Sequence, residues 1–217
     1  MTSLSVFIKV IQKSLNNEKV SKRIFDIIIV SIGIVIVTIP IFILVMLASF
    51  STRSFGIFIQ KRIGQFQKPF YIFKIRSMKI NQDDNTFTAS DDERITKFGQ
   101  SLRRFKLDEL PQLFNVLLGS MSIVGPRPDV SAMSLLLTDE QKIIFQMKPG
   151  LISNATIKFI DEEKLLATKS NPAQFYLTKI WPKKVNLNVE YVQNWSFKND
   201  LKIIFQFLQR LCRHIQK

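Results

Sequence analysis

Two adjacent carboxylates and three arginines fall within the 27 residues from Leu102 to Pro128, LRRFKLDELPQLFNVLLGSMSIVGPRP. Asp108 and Glu109 directly precede Leu110 and Pro111. Proline is tolerated in a helix only in its first turn, so the spacing predicts both carboxylates at a helix N-terminus. Unpaired N–H groups and the helix dipole favour ionised carboxylates there. An aspartate held as an anion can act as a nucleophile, and a neighbouring glutamate can ligate a divalent cation. Arg103, Arg104 and Arg127 are of the type that clamps a transferring phosphoryl group. Around Arg127, the prolines of Gly125-Pro-Arg-Pro128 fix φ and present the guanidinium from a stiff loop. On spacing alone, an acidic first turn with basic flanks accounts for the same residues.

Several chemistries are excluded or narrowed by composition. The only histidine, His214, is the fourth residue from the end, which argues against a Ser-His-Asp triad or a His-rich zinc site. A single cysteine, Cys212, allows no internal disulfide and suits a reducing compartment. No GxxxxGK[ST] phosphate loop is present. The formal charge of +14 suits an anionic partner, whether nucleic acid, an acidic lipid surface or a phosphorylated substrate. No secretory leader is read in the first 26 residues.

The element that must position this chemistry is an apolar run. Residues 27–52 contain no charge over 26 positions, about 39 Å of helix, and this segment is expected to enter lipid. Pro40 divides it into arms of roughly 18–20 Å, each shorter than a hydrocarbon core of about 30 Å. Lys19, Lys22 and Arg23 precede the run and Arg53, Lys61 and Arg62 follow it, so both flanks are basic and both ends are favoured on one face. A re-entrant helix broken near Thr38 and Pro40 satisfies both observations, and a kinked spanning helix is the alternative. Asp26 is expected to pair with Arg23, three residues earlier on the same helical face, as an interface anchor. Residues 4–15 read either as a short interfacial helix or as a basic tail.

Beyond the membrane exit, alternation through Phe70 to Arg76 predicts a strand with Phe70, Ile72, Lys74 and Arg76 on one face. Residues 81–93 are polar and acidic and read as a loop or lid. A helix is expected from about Arg94. Residues 200–215 form a basic amphipathic helix with Leu201, Ile204, Phe205, Leu208 and Leu211 on one stripe, suited to anionic lipid. Trp181 and Trp195 are read as packing residues or as stacking surfaces.

The ordered succession LDELPQ, then N-V, then MSIVGPRP resembles the bacterial sugar transferases, the monotopic polyprenyl-phosphate hexose-1-phosphate transferases. The likeness extends from about Lys22 to about Phe207 and includes QKRIG at 60–64, KIRSM at 74–78, DDERITKFG at 91–99 and KPG at 148–150. It implies Asp108 as a nucleophile toward the β-phosphate of a UDP-sugar. It further implies Glu109 as a ligand of Mg²⁺, and Lys74, Arg76, Arg94, Arg103 and Arg127 as substrate-phosphate contacts. Polyprenyl phosphate is the implied acceptor, at the cytoplasmic face of the bacterial inner membrane. The chain departs from the family at Lys106 and Ser120, where a serine cap and an acidic residue are usual, and in 151–159, which replaces the common WAQVNG form.

The resulting expectation is an α-rich α/β fold in three parts. These are an N-terminal tail or interfacial helix (1–21), a membrane re-entrant helix hairpin (22–53), and a small cytoplasmic catalytic domain ending in an amphipathic helix (54–217). UDP-sugar, polyprenyl phosphate and anionic lipid are the expected partners, with no nucleic acid and with an oligomer allowed. The competing readings, a membrane-tethered nucleic-acid-binding protein or a scaffold, leave Asp108, Glu109 and Arg127 without a role and lack a zinc or RNA-binding pattern.

Overall fold

In a computed structural model, residues 2–80, 92–128 and 131–216 are described, with side chains described from Lys19 onward. Helix α1, Thr2–Thr52, carries the apolar run. Its Lys19–Thr52 portion is long and apolar enough to cross a membrane, and only 11% of its most apolar stretch is buried within the protein. Val35, Ile36, Ile39 and Phe42 are among the exposed residues, which is not the pattern of a soluble core helix. α1 continues across Pro40 rather than ending there, and Thr38 Oγ1 donates to the Ile34 carbonyl at 2.6 Å. The interfacial-helix side chains expected at 4–15 lie outside the described residues.

After α1, strands β1 (Ile57–Ile63) and β2 (Pro69–Ile75) pair as an antiparallel hairpin, with Ile57 opposite Ile75. The expected strand is therefore present, shifted one residue toward the N-terminus so that it starts at Pro69 and ends before Arg76. Helix α2, Lys97–Arg104, begins later than the expected Arg94 because Thr96 provides the N-cap, its hydroxyl accepting from Gly99 N at 2.9 Å. A single 3₁₀ turn, Leu107–Glu109, leads into α3, Gln112–Leu117. Strand β3 (Ser122–Val124) then pairs in parallel with β4 (Gly150–Ile152), with the short helix α4 (Ser131–Ser134) between them.

The remainder is helical: α5 (Asn154–Lys158), α6 (Glu162–Ala167), α7 (Pro172–Phe175), α8 (Trp181–Gln193) and α9 (Phe197–Ile215). The protein is thus a helix-rich α/β molecule with one long apolar N-terminal helix. Its main core joins Val30 of α1, Ile72, Val116, Met121, Ile123, Val124, Ile152, Tyr191 and Ile203. A second cluster joins Ala48 of α1 to Ile75 and Leu102. Both arms of α1 are therefore attached to the α/β part.

Asp26 corrects the expectation made for it. It accepts from Ser122 Oγ at 2.7 Å and from Ile123 N at 3.2 Å, and it is buried. Arg23 instead donates to the Val116 and Leu117 carbonyls at the C-terminus of α3. The reason is geometric: unpaired carbonyls at a helix end offer a cation a better site than a carboxylate already held by β3. Nearby, Lys22 pairs with Asp200 of α9 and donates to Val124 O at 2.8 Å. Asp200 also accepts from Tyr191 and Trp195, which assigns Trp195 to packing; Trp181 is likewise buried in a core cluster.

Helix α9 is capped by Ser196 and starts three residues before the expected 200. Its buried face carries Asp200, Ile203 and His214, while Leu201, Phe205 and Leu208 of the expected stripe are exposed. His214 bonds Asp161 at 2.8 Å and holds the helix end to the start of α6.

Candidate active site

The two carboxylates are not in the first turn of α3, as the proline spacing had suggested. They sit on the preceding 3₁₀ turn, and Pro111, at φ −63°, occupies the N-cap position. The turn follows Lys106, a non-glycine residue at φ 57° whose side chain makes no cap. Such a left-handed residue is costly, and it redirects the chain between α2 and α3. The position of the family's usual serine cap thus serves here as a hinge between two helical pieces.

Glu109 is the electrostatic centre of the site. Its Oε1 accepts from Arg127 Nη2 at 2.6 Å and from Lys74 Nζ at 3.2 Å. These two cations hold its pKa well below the usual carboxylate range despite burial, Arg127 contributing more than Lys74. Beside it, Asp108 is buried, and its Oδ1 has no hydrogen-bond partner among the described residues. Burial raises the Asp108 pKa and the adjacent Glu109 charge adds to the rise, while Lys74, Lys106 and Arg103 oppose it. Adjacent carboxylates in unlike surroundings therefore titrate in opposite directions, an arrangement that favours distinct chemical roles.

The framework around them is rigid. Asn115, one turn into α3, accepts from Phe73 N at 3.1 Å and donates to Tyr71 O at 2.7 Å, which fastens α3 to β2 and sets Lys74 opposite Glu109. Arg127 is oriented at its backbone by Asn188 Oδ1, 3.3 Å from its N–H, and the Pro128 carbonyl next to it accepts from Arg62 at 3.2 Å. Gly125 and Gly150 let the GPRP loop pack on the KPG turn. A Cβ on Gly150 would lie 2.1 Å from Gly125 N, and one on Gly125 would lie 2.4 Å from Lys148 O.

Of the expected phosphate contacts, Lys74 and Arg127 are brought directly to the carboxylate pair. Arg103 pairs with Glu163 of α6 at 2.6 Å and still acts electrostatically on Asp108. Arg94 is bound to Asp92 at 2.7 Å. Arg76 is turned elsewhere, donating to the Phe55 and Ile57 carbonyls, where it secures the start of β1. The lid expected over 81–93 lies largely outside the described residues. Asn115, Asn188 and Glu163 were not anticipated as parts of the site. Asn115 was visible only as the N of the N-V motif, and the Glu162-Glu163 pair only as an acidic helix start.

No cluster of three or more His, Cys, Asp or Glu is present among the described residues. A hard divalent cation needs only one or two carboxylates when substrate oxygens complete its shell. Glu109 fits that requirement through Oε2, whose hydrogen bond from Arg127 Nη1 is long at 3.5 Å. What the arrangement can do chemically is hold a diphosphate between cations, with one carboxylate oxygen free to react.

Comparison with known proteins shows the family to which the chain belongs. The family model described as bacterial sugar transferase matches residues 17–214. The chain is 38% identical over 147 residues to "Uncharacterized sugar transferase EpsL" of Bacillus subtilis, covering 68% of this chain and 65% of that protein. It is 34% identical over 189 residues to "UDP-glucose:undecaprenyl-phosphate glucose-1-phosphate transferase" of Escherichia coli, covering 85% of this chain but 38% of that protein. It is 32% identical over 211 residues to "Exopolysaccharide production protein ExoY" of Sinorhizobium fredii, covering 89% and 86%. The chain thus spans less than two thirds of several relatives, and nearly the full length of others. With the family model covering almost the whole chain, this protein belongs to the bacterial sugar transferase family.

Proposed function

We propose that the protein is a phosphoglycosyl transferase that moves a sugar 1-phosphate from a UDP-sugar to polyprenyl (undecaprenyl) phosphate, releasing UMP, as a first membrane step of glycan assembly. The observation that carries this reading is the free, buried Asp108 oxygen beside a Glu109 clamped by Lys74 and Arg127. The names of the relatives, which specify undecaprenyl phosphate and a UDP-sugar, support it.

In the first half-reaction an Asp108 oxygen attacks the β-phosphorus. A carboxylate–phosphorus bond forms and the bond to the bridging oxygen breaks, with the electron pair leaving on UMP. In the second, an oxygen of polyprenyl phosphate attacks the same phosphorus and the carboxylate is regenerated. A carboxylate is a weak nucleophile, so positioning and charge neutralisation supply most of the acceleration. Arg127 and Lys74, both on Glu109, would neutralise the non-bridging oxygens, and Arg103 would become available if the diphosphate displaced Glu163. Glu109 would hold Mg²⁺, which when bound would supply further neutralisation of the diphosphate.

For the membrane, we propose a re-entrant α1 bent near Thr38 and Pro40, residues 1–21 as an entry segment, and residues 54–217 on the cytoplasmic face. Support comes from packing. Straight helix would separate Val30 from Ala48 by about 27 Å, whereas Ile72 and Ile75, members of the two clusters those residues join, are about 10 Å apart along β2. The exposed Leu201, Phe205 and Leu208 of α9 suit an anionic lipid surface. The nucleic-acid and scaffold readings gain no support: Lys74, Arg94, Arg103 and Arg127 are each paired with a carboxylate.

The test is membrane extract supplied with labelled UDP-sugars, polyprenyl phosphate and Mg²⁺. Lipid-linked product and UMP are expected. Asp108→Asn should lower turnover by about three to four orders of magnitude while membrane association is retained. Unchanged turnover in that variant would rule out the covalent route.

A further inference from the structure

A second group of cations lies away from the carboxylates. Arg23 Nη2 and Lys148 Nζ lie 3.3 and 3.5 Å from the position a Cβ would take at Gly119, so the two charges are within about 7 Å of each other. Among the described residues neither has a carboxylate at ion-pair distance, although the long-range field of Asp26 reaches both. Arg23 spends two of its N–H groups on the Val116 and Leu117 carbonyls, and the rest of its fork has no carboxylate partner. Gly119, at φ +86°, is the residue that ends α3 and leaves room for both cations. Burial and the like charge of Arg23 lower the Lys148 pKa, and Asp26 opposes them only in part.

The surroundings indicate what kind of anion would meet this pair. Arg23 precedes the uncharged run of α1 by one helical turn. Val20 and Ile24 on the same helix are 58% and 54% exposed, and Leu118, beside Gly119, is 75% exposed. Bare apolar side chains around a cation pair match the boundary between acyl chains and phosphate headgroups. Gly119 follows Asp108 by eleven residues, roughly 15 Å along a helical path, so the pair is separate from the reactive oxygen.

We propose that Arg23 and Lys148, opened by Gly119, form a binding site for the phosphate of an anionic phospholipid, seating the end of α3 at the headgroup layer. The proposal rests on the membrane reading of α1 but not on the transferase chemistry, so the two can fail separately. The site would fix the height of the catalytic turn above the bilayer through α3, which carries Leu118 at one end and the Asp108 turn at the other.

The full-length protein in mixed micelles of phosphatidylcholine and phosphatidylglycerol provides the test, with retained lipid counted by native mass spectrometry. The wild-type chain should keep one phosphatidylglycerol in preference to phosphatidylcholine. Lys148→Gln and Lys148→Met should each reduce that occupancy about tenfold, Lys148→Arg should preserve it, and Lys169→Met, remote in sequence, should have no effect. Thermal midpoints close to wild type would show that the variants are folded. Equal phosphatidylglycerol retention in Lys148→Gln and wild type would overturn the proposal. So would loss of added polyprenyl phosphate with phosphatidylglycerol retained, which would reassign the site to the acceptor.

Discussion

At the scale of single residues, the unlike surroundings of Asp108 and Glu109 set the reactivity. Glu109 is held ionised by Arg127 and Lys74 and is available to organise charge, whereas Asp108 is pushed upward by burial and by its neighbour. In the proposed mechanism only the ionised aspartate can attack, so activity should fall as pH drops through its raised pKa. The acidic limb of kcat/KM, which reports the free enzyme, is therefore expected above the ordinary aspartate value of about 3.9. Lys74 lowers the Asp108 pKa. Removing its charge in Lys74→Gln should then move the acidic limb to higher pH, in addition to lowering the rate. A limb that stays in place, or moves to lower pH, would show that Lys74 does not share the field of Asp108.

At the scale of elements, two devices hold the site in place. The first is the close approach of Gly125 and Gly150, which joins the GPRP loop to the start of β4. Gly150→Ala places a methyl group against backbone, where nothing can yield as a flexible side chain would. It should cost about 1–3 kcal/mol by overpacking and should reduce kcat by shifting Arg127, as measured by thermal unfolding in detergent and by turnover. The second is the buried clamp of Lys22 on α1 with Asp200 on α9, joined by Tyr191 and Trp195. Asp200→Ala leaves Lys22 buried without its partner and should cost about 3–5 kcal/mol. A combined Lys22→Met and Asp200→Leu variant should recover much of that loss, because the penalty arises from the unpaired charge more than from loss of the pair. A double variant as unstable as the single one would instead assign the cost to packing.

At the scale of the whole molecule, the question is how a helix with an uncharged run of 26 residues relates to a bilayer while both its arms stay attached to one α/β body. The proposed bend near Pro40 would reconcile these demands and return the chain to the face it entered. Single cysteines at positions 17 and 85, introduced after replacing the exposed Cys212, should be labelled by an impermeant reagent from the same side of the membrane. Labelling from opposite sides would establish a spanning helix.

Much of this was legible in the linear chain, and for definable reasons. The uncharged run, the proline-marked turn after Asp108-Glu109, the β2 alternation and the strict order of motifs all depend on local spacing, and local spacing survives folding. Partner choice was not legible, because it depends on which groups tertiary contacts bring together across many residues. Asp26 went to β3 instead of Arg23, Arg76 to backbone carbonyls instead of the site, and Arg103 to Glu163, 60 positions away. The sequence by itself determined the family, the long apolar helix and the choice of Asp108 as candidate nucleophile. Only the tertiary structure decided that Glu109 is the clamped carboxylate and Asp108 the one with a free oxygen, since burial and the directions of Lys74 and Arg127 exist only once α3 is docked on β2.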